Sequence, residues 1–359
     1  MSVQQYLSDM KKVQILLLKF IDCELNSDAY FTKFIQLIDN LKIPKNPDLF
    51  KSLLELILNI ANHHHRVSDF YDKIFKILKN YKKEIQENFT NSSIFNFFES
   101  NKRLVLFLID EKLLIIDKTI ANSILAKNDN YKYYFGKELA PFNGNSRISA
   151  DFEEKRRSGE SNDDDIAAII RNDLIDDFIE KTKNKSSYSM RVEITYCDTN
   201  ILFEHFYGEY IFYAAFFGSV QIFNYLLKDK YFYSYEKKDV WIYSIHSNNP
   251  EMIFILEEKN IKLEPKQYEE FVQEAIKCHH NDIAIYIQNN YIDKNLDETF
   301  KIGLLYYNFA FLRKELINES NIYIFEGNHL PIVKIFKENK DFDVNKKLYG
   351  IRHIFKGLL

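Results

Sequence analysis

Two histidine runs and one aromatic run carry the side chains with the most chemical potential. Asn62-His63-His64-His65 sets three imidazoles in a row. Neighbouring residues on a helix point about 100° apart, so at most two of the three can share a metal ion. The H-x-x-x-H and H-E-x-x-H spacings that bring two ligands onto one face are missing, and the run reads as an interhelical turn. Cys278-His279-His280-Asn281-Asp282 offers a metal-ligand set or a Cys–His pair. A nucleophile also needs an orienting base and an oxyanion pocket, for which the sequence supplies no counterpart. Tyr231-Phe-Tyr-Ser-Tyr235, with Lys237 and Lys238 behind it, mixes aromatic faces with positive charge, the combination that stacks single-stranded bases.

The glycines exclude several classes of enzyme. There are nine, and the closest pair, Gly350 and Gly357, is seven residues apart. A Walker loop needs glycines five apart, and G-x-G-x-x-G and G-x-S-x-G need them closer still. The standard phosphate-cradling loops and the nucleophile elbow are therefore absent. The chain has 359 residues, 46% of them hydrophobic, and its 31 Phe and 24 Tyr provide for a sizeable core. With 9 Gly and 6 Pro, the turn-rich β architectures are disfavoured. A net charge of −4 argues against a nucleic-acid partner, whose affinity is dominated by electrostatics. Three dispersed cysteines, Cys23, Cys197 and Cys278, form no disulfide framework and suit a reducing compartment. No secretory leader is visible after Met1, and the apolar runs fall short of the roughly 18 residues of a membrane span. The expectation is a cytoplasmic protein with no cofactor and no metal.

These side chains must be held by helices. From residue 1 to 127 apolar residues recur at three and four, as in Val13, Leu16, Leu17, Phe20 and Ile21. Ser68 is placed to cap a helix running through Ile74, Ile77, Leu78, Tyr81 and Ile85. Short links such as Ile43–Asp48 imply antiparallel neighbours, so residues 1–127 read as an N-terminal helical domain. Residues 128–162 are polar, hold three of the nine glycines and read as a linker. The stretch 151–180 carries 11 acids and 4 bases; Asn162 followed by Asp163-Asp-Asp165 accounts for part of this as a capped helix start.

Residues 163–359 hold a repeat, clearest over 211–290. Ala214-Ala-Phe-Phe-Gly218-Ser-Val-Gln-Ile222-Phe-Asn-Tyr-Leu226-Leu227 sets two small residues and a turn glycine before apolar residues at helical spacing. The turn positions Gly218, Asn248, His279 and Asn308 follow one another at 30, 31 and 29 residues. All suit a left-handed or helix-ending backbone. Asn328 lies 20 further on, Arg171 lies 47 upstream, and Asp343–Asn345 with Gly350–His353 looks like one more truncated unit. The pattern resembles the A-A-x-x-G-H-x-x-V-V-x-x-L-L core of an ankyrin repeat, without its T-P-L-H tetrapeptide. The wording of 151–180, Tyr213–Leu226 and Glu274–Ala284 is similar to a large protist-expanded family of divergent ankyrin-repeat proteins whose central segment is a domain of unknown function.

The resemblance implies an all-α helical solenoid acting as a non-catalytic protein–protein interaction scaffold through a concave surface. No catalytic residue carries over from it. In the ankyrin pattern the two residues before each turn face the groove: here Phe216-Phe217, His246-Ser247, Lys277-Cys278 and Tyr306-Tyr307. The expected partner-binding residues are Phe216, Phe217, His246, Lys277, Tyr306 and Tyr307, with Tyr231 and Tyr233 from the finger loop. Ala214, Ile222, Leu226, Ile253, Leu256, Ile283 and Ile287 are the expected core. A small-molecule ligand is not expected. The competing readings are a helical-cleft hydrolase or transferase using Asp/His clusters, and a nucleic-acid-binding module.

Overall fold

A computed structural model describes residues 2–67, 69–144, 149–158, 165–184, 191–193, 195–203, 208–228, 237–292, 297–312, 329 and 331–334. Ser68, Asn162, Tyr231, Tyr233, Asn328 and the proposed truncated unit lie outside these. The described residues are all-helical. Up to residue 158 the helices are α1 (Val3–Asp22), α2 (Ser27–Asn40), α3 (Pro47–His63), α4 (Phe70–Asn80), α5 (Lys82–Asn88), α6 (Asn91–Phe98), α7 (Lys102–Asp110), α8 (Lys118–Leu125), α9 (Asp129–Tyr134), α10 (Gly136–Asn143) and α11 (Ala150–Ser158). Beyond it come α12 (Asp165–Arg171), α13 (Ile175–Thr182), α14 (Tyr210–Phe217), α15 (Val220–Leu226), α16 (Lys237–His246), α17 (Pro250–Glu258), α18 (Pro265–Lys277), α19 (Asn281–Tyr291) and α20 (Asp297–Leu305). No described helix is long and apolar enough to cross a membrane.

The chain forms two compact units, residues 61–267 and residues 1–60 with 268–359. In the first, α12/α13, α14/α15 and α16/α17 are helical hairpins; α12 and α16 both pack on α14, and α13 and α17 both pack on α15. In the second, α1 packs along α2 and against a 3-10 turn at Phe309–Phe311. All seven expected core residues are buried.

One helix-ending device recurs in both units. Asp173, Gly218, His279 and Tyr307 have φ of 51°, 69°, 61° and 55°. The N–H of the following residue donates to the carbonyl five back: Leu174 to Ile169 at 3.1 Å, Ser219 to Ala214 at 2.9 Å, His280 to Ala275 at 2.9 Å, and Asn308 to Gly303 at 2.8 Å. This is the Schellman geometry that satisfies the helix's last carbonyls. Asn248 shares the backbone conformation, with φ of 54°.

A second bond then ties one turn to the helix end before it. The residue after the turn donates from its side chain to the carbonyl three before the preceding left-handed residue. Ser219 Oγ reaches Ile170 O at 2.5 Å and Asn308 Nδ2 reaches Ile276 O at 2.8 Å. His329 Nε2 reaches Leu304 O at 2.7 Å in the same relation to Tyr307. Each bond adds a second donor to a carbonyl that already accepts the N–H of the left-handed residue. Asp173 adds to this by accepting from the N–H groups of Gln221 and Ile222, so one turn caps the next hairpin's second helix.

Residues 128–162 differ from the linker expected of them, since they carry α9, α10 and α11. Arg156 is wholly buried and bonds to Glu138 (2.7 Å), to Glu153 (2.7 Å) and to the Tyr134 carbonyl (2.5 Å). A polar composition there is the composition of a buried ionic lock, which a count of polar residues reads as loop.

Candidate functional site

The expected recognition residues divide by burial. Phe216, His246 and Tyr307 are buried, against the expectation that they face a partner. Packing accounts for each. Phe216 lies 4.6 Å from the Phe203 ring and 5.9 Å from His246, centroid to centroid, and Tyr307 stacks on His329 at 4.2 Å. Phe217, Lys277 and Tyr306 are half-buried. Lys277 Nζ sits 3.0 Å from Glu274 and 5.8 Å from the centre of the Tyr306 ring. Burial works against the Lys277 charge, but Glu274, Cys278 and Tyr306 together outweigh it and hold the ammonium above its ordinary pKa.

The histidine runs are tied into the fold. His63 and His64 are buried, and the His64 carbonyl accepts from Arg66 Nη1 at 2.8 Å. His279 Nε2 donates to Tyr306 O at 3.1 Å, which fixes its tautomer and leaves Nδ1 to accept from Gln14 Nε2 at 2.9 Å. Gln14 Nε2 also donates to Asn308 Oδ1, 2.8 Å away. His329 is buried beneath Tyr6, whose hydroxyl lies 3.4 Å from Nδ1, and burial pushes its pKa down to about 4.

Sequence reading missed a cavity of about 360 Å³ within residues 61–267. Three arginines line it: Arg66 and Arg171 lie at the C-terminal ends of helices, where cations offset the negative end of the dipole, and Arg103 lies in the first turn of another. Arg66 closes α3, donating to Ala61 O at 3.0 Å, and lies over the rings of Phe70 (4.5 Å) and Tyr71 (5.3 Å). Arg171 ends α12, donates to the Tyr213 hydroxyl at 2.9 Å and lies 5.9 Å from the Phe217 ring centre. Arg103 starts α7 and reaches across to the closing carbonyls of α11, Arg156 O and Arg157 O (2.7 Å to the latter). Phe203, Phe216 and Phe217 form an aromatic wall, and Asn172, Asp198, Thr199 and Asn200 supply polar groups. Asp198 is itself engaged, accepting from Thr195 N at 2.8 Å.

The lining sets three guanidiniums against two carboxylates, Asp72 and Asp198. Arg103 is 7% exposed, and no described carboxylate pairs with it. Its Nε and the Nδ2 of Asn200, a residue 2% exposed, are buried donors without an acceptor among the described residues. Arg66, Arg103 and Arg171 lie 37 and 68 residues apart, with no spacing to signal their convergence. Comparison with family models, with curated proteins and with solved structures finds no match for the chain.

Proposed function

We propose that the chain is a non-catalytic helical-repeat binding protein of the divergent ankyrin kind, and that it recognises protein partners. The supporting observation is the repeated turn. A left-handed helix end whose next residue hydrogen-bonds back to the previous helix end is a device for stacking hairpins, each covering the apolar face of its neighbour. The bond back to the previous helix end recurs at Ser219, Asn308 and His329 with different side chains, so what repeats is the geometry of stacking. In this reading the half-buried Phe217, Lys277 and Tyr306 contact the partner, and the buried Phe216, His246 and Tyr307 support them from beneath.

The test is capture of partners by the full chain from its native cell, followed by affinity measurements on Phe217→Ala, Lys277→Ala and Tyr306→Ala. Aromatic and long cationic anchors at interfaces cost upward of about 1 kcal/mol when truncated, or fivefold in Kd. Weaker binding with an unchanged circular-dichroism spectrum is the expected result. Normal binding by all three, with binding abolished by surface substitutions in residues 1–127, would move the recognition surface elsewhere.

A further inference from the structure

We infer that the cavity lined by Arg66, Arg103 and Arg171 is a binding site for a small oxyanion, carboxylate or phosphate, carried on a flat apolar or aromatic body. The inference stands apart from the partner-binding reading, because it rests on the charge and the lining of a cavity inside residues 61–267. A buried guanidinium is stable only when its charge and its donors are met. Two Arg103 donors are met by the carbonyls that end α11, but these are neutral groups, and the lining sets three guanidiniums against the two carboxylates of Asp72 and Asp198. An oxyanion supplies the negative charge that this lining lacks, and guanidinium groups engage it in forked geometry.

The rest of the lining defines the body attached to that anion. Phe203 and Phe216 are buried aromatic surface, and Phe217 presents a further ring beside the Arg171 guanidinium. Ring faces and guanidinium planes both stack on flat groups. A volume of about 360 Å³ sits at the lower end of the range for small-molecule sites, roughly 300–1,000 Å³, and suits one ring with its acidic group. Arginines placed only to cap helices would account for their backbone bonds. They would not account for a buried Arg103 charge without a carboxylate partner among the described residues, or for the aromatic wall around the same space.

The experiment is calorimetric titration of the full chain, at fixed ionic strength, with phenyl phosphate, benzoate, inorganic phosphate and phenol. Binding of phenyl phosphate or benzoate at least tenfold tighter than phenol and inorganic phosphate is the expected result, and the stronger of the two identifies the acid. Arg171→Gln and Phe217→Ala should each weaken that binding tenfold or more. Both residues are half-buried and leave the Arg103 contacts in place, so their folding can be checked by circular dichroism. Failure of both aryl acids to bind, equal binding of phenol, or undiminished binding by both folded variants would each overturn the assignment.

Discussion

His329 gives the protein a stability that acid removes. Its Nε2 donates to Leu304 O at 2.7 Å, so Nδ1 carries the lone pair, with the Tyr6 hydroxyl 3.4 Å away and the Tyr307 ring stacked on its face. Burial disfavours a second proton and outweighs the bond to Leu304 O, which favours it, so the pKa falls from 6.5 to about 4. The sign follows from proton binding. Between pH 6.5 and 4 the unfolded chain holds the proton and the folded chain does not, so stability falls as pH falls. The contribution is complete above pH 6.5 and is lost progressively down to about pH 4. A displacement of roughly two and a half pH units is worth about 3 kcal/mol at 1.36 kcal/mol per unit. The assay is urea unfolding of the native chain and of His329→Phe at intervals from pH 7.5 to 4, taking the difference at each pH. Subtraction removes the shared titration of the carboxylates. The variant loses the bond to Leu304 at every pH, a roughly constant cost, but it has no proton to gain. Its disadvantage should therefore shrink by about 3 kcal/mol toward pH 4. A difference that stays flat across that interval would refute the burial of a neutral imidazole here.

Two other expectations are independent of this one. Gly218→Ala should destabilise the protein by about 1 kcal/mol, because φ of 69° strains an L-residue while the nearest heavy atom to the new Cβ, Ser247 Cβ, lies at an ordinary 3.4 Å; a melting temperature equal to that of the unaltered chain would contradict a left-handed turn. Arg156→Met should cost about 1.5–3 kcal/mol, because Glu138, Glu153 and the Tyr134 carbonyl lose a buried charged donor while both carboxylates keep Arg157; a denaturant midpoint equal to that of the unaltered chain would contradict it.

Legibility in the sequence followed the range of the interaction. Ala214, Ile222, Leu226, Ile253, Leu256, Ile283 and Ile287 are buried where helical spacing puts them, because amphipathic periodicity is written within a few residues. Gly218, Asn248 and His279 adopt the positive φ that their side chains tolerate. At the next turn the left-handed residue is Tyr307, one before the expected Asn308. The reason is tertiary: Asn308 directs its amide to Ile276 O and to Asn281, and that requires the turn to fall one residue earlier. The arginine cavity was invisible for the same reason on a larger scale. Its members come from the ends of different helices and share no spacing, and the orphaned donors exist only once the chain is folded. Burial of Phe216, His246 and Tyr307 was likewise decided by neighbouring rings, which the order of residues along one helix does not reveal.

The fastening between successive turns also bears on how such a chain can change its length. Donor and acceptor are 49 residues apart for Ser219 and Ile170, 32 for Asn308 and Ile276, and 25 for His329 and Leu304. A single short bond thus joins stretches whose contour differs by a factor of about two. Doubling a flexible connection adds only about 0.6 kcal/mol of closure entropy, less than the 1 kcal/mol or so that one buried hydrogen bond contributes. Residues can be gained or lost between fasteners at little thermodynamic penalty, whereas a one-residue change between a helix end and its fastener would break the joint. The protein is in this sense elastic in its connections and rigid at its corners, and the corners carry its indexing.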